Sequence, residues 1–185
     1  VAYTLFISEN KLKDSTALNG NIDVEYILPY LKTAQKKFIE PLLGTDLYNK
    51  VSTDINAGTL GGNYKILIDD YVQDALVHWA LYEVIPFLSF KFMNNNIVAK
   101  TSENAQPLSS SERSYLREEV RNTAEFYTKR AVDYICEDQT LFPEYSTNSG
   151  ADISPNKETY YSNINIENVT GRTRPGHITL KDFLD

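Results

Sequence analysis

The chain has 185 residues, 42% of them hydrophobic and 23% charged, and a formal net charge of −7. This suits one soluble domain with a real core plus extensions, and it argues against a protein that wraps nucleic acid. It leaves room for a local basic patch, or for a pore wall past which DNA slides without sticking. Cys136 is the only cysteine, so no intrachain disulfide can form. No uncharged apolar run reaches the roughly 18 residues of a membrane span, because His78, Glu83 and Lys91 interrupt the one candidate. The start, VAYTLFISENK, has neither the basic residues nor the cleavage site of a signal peptide.

Residues 2–7 (AYTLFI) are aromatic and β-branched and read as an extended arm or edge strand. Ser8 is placed to cap a short turn over residues 9–13. Residues 23–40 read as helix, with Ile27, Leu28, Leu31, Ala34, Phe38 and Ile39 on one side and a regular start near Pro29. Pro41 should break it, Leu42-Leu43-Gly44 should bend, and Thr45 should cap a second helix over residues 46–57 that Gly58 ends.

The longest signal is residues 64–93, read as one helix of about 45 Å at 1.5 Å per residue. Tyr64, Leu67, Ile68, Tyr71, Val72, Ala75, Leu76 and Trp79 form its apolar stripe, and from Ala75 onward the polar side almost vanishes. Such a helix should enter a core and be surrounded there, with a kink at Pro86. Asn94-Asn95-Asn96 should end it, and Ile97-Val98-Ala99 is a short β-compatible piece in the polar loop that follows. Ser109 and Glu112 match a capping box for a last helix over residues 111–136. Its expected buried stripe is Leu116, Val120, Ala124, Tyr127, Ala131, Tyr134 and Ile135, with Arg113 and Arg121 facing water. A hydrophobic stop, TLFPEY, closes the body.

The fold expectation is therefore all-α: a bundle of about four main helices around a long kinked central helix, with extended N-terminal and C-terminal arms. The divisions fall at residues 1–22 (arm and short turn), 23–145 (helical body) and 146–185 (C-terminal arm). The last segment is polar, with β-branched islands at Ile164 and Ile166 and over His177-Ile178-Thr179-Leu180, and it is too poor in aliphatics to fold alone. Docking on neighbouring subunits by strand addition is preferred to docking on its own body. Tyr3, Phe6, Ile164, Ile166, Arg172, Arg174, His177, Ile178, Leu180 and Phe183 are the candidate partner-contact residues.

Chemistry is weighed against plainer roles. Asp70, Asp74 and His78 share a helix face at i, i+4 spacing and could hold a metal, but an acidic solvated face running into a core-edge histidine fits better. Glu83 in an apolar run should pair with a basic side chain from another helix. Cys136 reads as a core or near-core thiol rather than a nucleophile. GTLGG lacks the lysine and the preceding strand of a phosphate loop. GRTRPGH is the one basic cluster, fit for DNA phosphates, an acidic partner or solvent. No catalytic, cofactor or metal constellation survives, so an enzyme is not expected.

A pattern runs from Phe6-Ile7-Ser8 through Asn21-Ile22-Asp23, LKTAQ at residues 31–35 and IEPLLGTDLY at residues 39–48, then on to the apolar central helix, the Asn-rich turn and Phe142-Pro143-Glu144-Tyr145. It resembles the small α-helical head–tail connector, or adaptor, proteins of tailed bacteriophages. It is most similar to versions in phages of Bacteroidetes hosts and to ring proteins of crAss-like phages. The resemblance covers about three-quarters of the chain and excludes residues 146–185. It implies a virion protein made in the host cytoplasm and placed at the head–tail junction. Such a protein forms a homo-oligomeric ring of about twelve subunits beneath the portal protein. The ring extends the DNA channel without sequence-specific binding and gives a neighbouring tail or ring protein its docking surface. It implies no active-site residue. The competing reading is a helical binding module that regulates a nucleic-acid enzyme or transcription, which would need a contiguous basic surface.

Overall fold

The computed structural model describes residues 3–18, 22–88, 90–93, 96–99, 108–147, 149 and 153–155. The chain is mostly helical, and its helices begin and end where short-range chemistry directs. Ser8 accepts the Lys11 amide (3.1 Å) and opens α1, Glu9–Asp14. Asp23 accepts the Glu25 amide (3.1 Å) and opens α2, Val24–Ala34. This cap moves the helix start ahead of Pro29, which stands inside α2 rather than at its beginning. A π-helical turn, Gln35–Ile39, joins α2 to α3, Glu40–Ala57. Pro41 sits in the first turn of α3, where its missing donor is harmless, so it does not break the chain. The bend is at Gly44, whose φ of 74° and ψ of 160° are not helical. Gly58, left-handed at φ 67°, ends α3.

The expected single central helix is built in pieces. α4, Gly62–Leu67, passes through a second π turn, Ile68–Val72, into α5, Gln73–Leu88. Pro86 lies in the last turn of α5. Beyond it the helix does not continue to Met93. β1, Phe90–Met93, pairs antiparallel with β2, Asn96–Ala99, with Phe90 opposite Ala99 and Met93 opposite Asn96. The FKFM run is as compatible with a strand as with a helix, and only the pairing with β2 decides it. α6, Ser110–Glu137, opens on a complete capping box: Ser109 Oγ accepts the Glu112 amide, and the Glu112 carboxylate accepts the Ser109 amide (3.0 Å). A short 3₁₀ turn, Gln139–Leu141, and α7, Pro143–Ser146, follow.

α5 is the element the others cover. α2 and α6 both pack on it, and they do not pack on each other to any comparable extent. Its buried residues include Ala75, Leu76, Val77, Trp79, Ala80 and Val84, most of its circumference. Trp79 joins three elements: its ring stacks on Phe38 of the first π turn (3.8 Å between centroids) and meets Tyr82 edge-on, and its Nε1–H donates to Thr128 Oγ1 of α6 (2.8 Å). Glu83 on the same helix accepts from Lys37 Nζ at 2.8 Å, the inter-helix ion pair its apolar surroundings require. The hydrophobic stop closes the other end: Phe142 and Tyr145 are fully buried, and Tyr64 donates to Glu144 (2.6 Å) while its ring meets Phe142 edge-on.

α6 departs from its expected pattern in its first half. Leu116 is 43% exposed and Val120 only half-buried. The inner side there carries arginines instead: the Arg113 guanidinium lies over Phe90 (5.0 Å) and that of Arg117 over Tyr82 (4.0 Å). Arg121 bonds Glu125 (2.7 Å). Aliphatic stems and flat guanidinium groups thus replace a leucine seam, a role open to arginine because its charged plane stacks on rings. Cys136 is exposed rather than near the core. Among the described residues no helix is long and apolar enough to cross a membrane.

Candidate assembly interface

The N-terminal arm is built into its own chain. Gln35 is fully buried, and its side-chain amide imitates a neighbouring strand: Oε1 accepts the Phe6 amide (3.0 Å), while Nε2 donates to Thr4 O (2.8 Å) and Tyr48 Oη (2.9 Å). Gln73 Nε2 donates to Phe6 O (3.1 Å). The Thr4 carbonyl and both backbone groups of Phe6, which an extended arm would leave unpaired, thus have side-chain partners. Phe6 is 3% exposed and packs on Tyr48 (5.0 Å). Assigned from sequence to partner contact, it is a core residue of this chain, with no face left for a neighbour. Tyr3 stays half-exposed, bonded to Lys32 O and Tyr48 Oη (both 3.4 Å). Burial, and then the bond with Tyr48, raise its phenol pKa. Tyr3, Lys32, Thr33, Lys36 and Lys37 line one open groove of about 550 Å³. The remaining candidates, Ile164, Ile166, Arg172, Arg174, His177, Ile178, Leu180 and Phe183, lie outside the described residues.

The chain after α7 returns to the body. The Asp46 carboxylate accepts from the Ser149 amide (2.9 Å), Ser149 Oγ (2.7 Å) and Thr147 Oγ1 (3.4 Å). Thr45 and Ile153 exchange two bonds, the Thr45 amide donating to Ile153 O (3.0 Å) and the Ile153 amide to Thr45 Oγ1 (3.1 Å). Pro155 lies against the Gly44 backbone, where a Cβ would stand 2.6 Å from its Cγ. So Thr45, expected as a helix cap, serves as a docking point, and the first part of the C-terminal segment docks on its own body. The bonds from Ser149 hold the Asp46 carboxyl below its usual range.

α6 shows what sequence reading passed over. Tyr115 is 69% and Phe126 63% exposed. Eleven residues apart, they lie within about 20° of each other around the helix and about 16 Å along it. Glu118, Glu119 and Asn122 are the exposed residues between them on that stripe. The signal was present: two aromatics at helical spacing on the polar side of an amphipathic helix.

His78, weighed as a metal ligand, is held in a structural contact. It stacks flat on Tyr127 (5.2 Å). Burial lowers its pKa, opposed by the Asp74 carboxylate. Between its ordinary 6.5 and its lower folded value, the unfolded chain takes up the proton first. Stability owed to neutral His78 is therefore intact above 6.5 and declines as pH falls toward the folded pKa. Denaturant midpoints are expected to fall on acidification from neutral pH before the carboxylate range is reached, and His78→Phe should flatten that slope. An unchanged slope in the variant would assign it to other groups. Glu125, buried among helix residues, accepts from Arg121 Nε through Oε1; burial raises its pKa and Arg121 opposes the rise.

A family model described as a family of unknown function (DUF6712) matches residues 39–155, more than half of the chain, so the chain belongs to that family. No curated protein and no solved structure matches it.

Proposed function

We propose that this member of the DUF6712 family is a structural virion protein, a ring subunit of a tailed-bacteriophage head–tail connector. The ring lies beneath the portal, extends the DNA channel and presents the docking surface for the tail. The observation that carries this reading is α6, a 28-residue helix whose outer stripe exposes two aromatic rings, Tyr115 and Phe126, with carboxylates between them. Large rings are rarely left in water on a helix with no partner, and aromatics are enriched where proteins meet. The head–tail resemblance of residues 6–145 supplies the kind of partner, and the net charge of −7 suits a wall that DNA passes without adhering. In this reading α2, α3, α5 and α6 are the four main helices of the bundle, with α4 and its π turn prolonging α5 as the central rod. In the same reading the polar sequence after residue 155 serves as the arm for a neighbouring protein.

Co-expression with the portal protein of its own virus tests the function. The two should co-purify, with the chain seen by electron cryomicroscopy as a closed ring coaxial with the portal. A chain that never joins the portal, and is missing from purified virions, would overturn the assignment.

A further inference from the structure

We propose that the ring contact is heterologous: the outer stripe of α6 on one copy docks on the lysine groove of α2 and the first π turn on the next. The proposal rests on the ring reading and names the surfaces that close it. The two surfaces belong to the helices that pack on α5 without packing on each other, so a copy can offer one and receive the other. Repetition of such a contact gives a ring when the rotation closes.

The surfaces match in charge. On the stripe, Glu118 and Glu119 stand between Tyr115 and Phe126; Arg113 and Arg117 are turned inward onto Phe90 and Tyr82, and Arg121 pairs with Glu125 and more loosely with Glu118 (3.5 Å). Glu119 makes no ion pair among the described residues. The groove has the opposite sign. Lys36 and Lys37 each use one donor on a largely covered carboxylate, Glu40 and Glu83, and keep their heads about half-exposed. Lys32 has no carboxylate partner among the described residues and lies only over the Tyr3 ring (5.9 Å). An ammonium keeps donors to spare after one bond, and lysine stems offer apolar surface to aromatic rings. Among the described residues Glu119 and Lys32 are thus an acid and a base without counterions, carried on different elements. A second copy supplies each with its counterion.

Complementary disabling of the two surfaces tests the contact. One variant carries Tyr115→Ser with Phe126→Ser, the other Lys32→Glu with Thr33→Glu; all four positions are exposed, so both variants should melt as the wild type does. By sedimentation at high concentration the wild type should self-associate, and each variant alone should do so at least about tenfold more weakly. Mixed in equal amounts, each variant contributes its one intact surface, and the mixture should stop at a dimer. Wild-type association retained by either variant, or no pairing in the mixture, would overturn the contact. A wild type that remains monomeric throughout overturns it too, while the ring reading is still decided separately by portal co-purification.

Discussion

Replacing Trp79 by alanine will lower the unfolding free energy by about 3–5 kcal/mol, as large-to-small changes of buried tryptophan do. The residue is 3% exposed and its ring is used on three sides: stacked on Phe38, edge-on to Tyr82 and bonded through Nε1 to Thr128. Part of the loss is the emptied volume between α5, α6 and the first π turn, which a bent chain cannot easily collapse to fill. Part is Thr128 Oγ1, which loses the donor it accepts from and keeps only its own bond to Ala124 O. Trp79→Phe separates the two. It retains most of the stacking surface and removes the indole donor, so its loss beyond the volume change should be about 1 kcal/mol. Urea unfolding of the three proteins reads both quantities. A loss below about 1 kcal/mol for the alanine variant would mean that the contact among the three elements is held elsewhere.

That residue was legible in the sequence because its neighbours on the stripe, Val72, Ala75 and Leu76, follow helical spacing and all are buried. The caps at Ser8, Gly58 and Ser109 and the bend at Gly44 were legible for the same reason: each depends on a few adjacent residues. The ion pair of Glu83 could be foreseen in kind, since a carboxylate in an apolar run needs a base, but not in partner, since Lys37 is 46 residues away. What escaped has one physical origin, contact between distant segments. FKFM became a strand only through pairing with residues 96–99. Arg113 read as solvated charge, yet its guanidinium lies over Phe90, and Arg117, which the sequence did not mark, lies over Tyr82. Gln35 looked like one more polar helix residue, yet it is the buried anchor of the arm. The two π turns carry no compositional mark at all. The proposed assembly surface was half legible: Tyr3 was singled out, whereas Tyr115 and Phe126 stood out only through their exposure among the described residues.

Gly44→Ala will cost about 2–4 kcal/mol, from two sources that a second substitution distinguishes. The first is backbone strain. At φ 74° and ψ 160° Gly44 occupies a region open essentially to glycine alone, and a side chain forced to stay there costs about 1–3 kcal/mol. The second is collision, since the new Cβ would stand 2.6 Å from Pro155 Cγ and 2.7 Å from its Cδ. Pro155→Ala removes both of those atoms and leaves the backbone nitrogen, 3.0 Å away, as a contact that small shifts can absorb. In a double-mutant cycle the two changes should therefore be non-additive, with Pro155→Ala recovering about 1 kcal/mol or more in the Gly44→Ala background. Strict additivity would show that the strap from Thr147 to Pro155 does not rest on Gly44 in solution. The distinction bears on assembly. The bonds to Asp46 and Thr45 hold Thr147, Ser149 and Ile153 on the body beside that contact. A Gly44→Ala variant that folds but releases Pro155 should keep the α6 and lysine surfaces, so the association proposed between them should be unchanged by sedimentation.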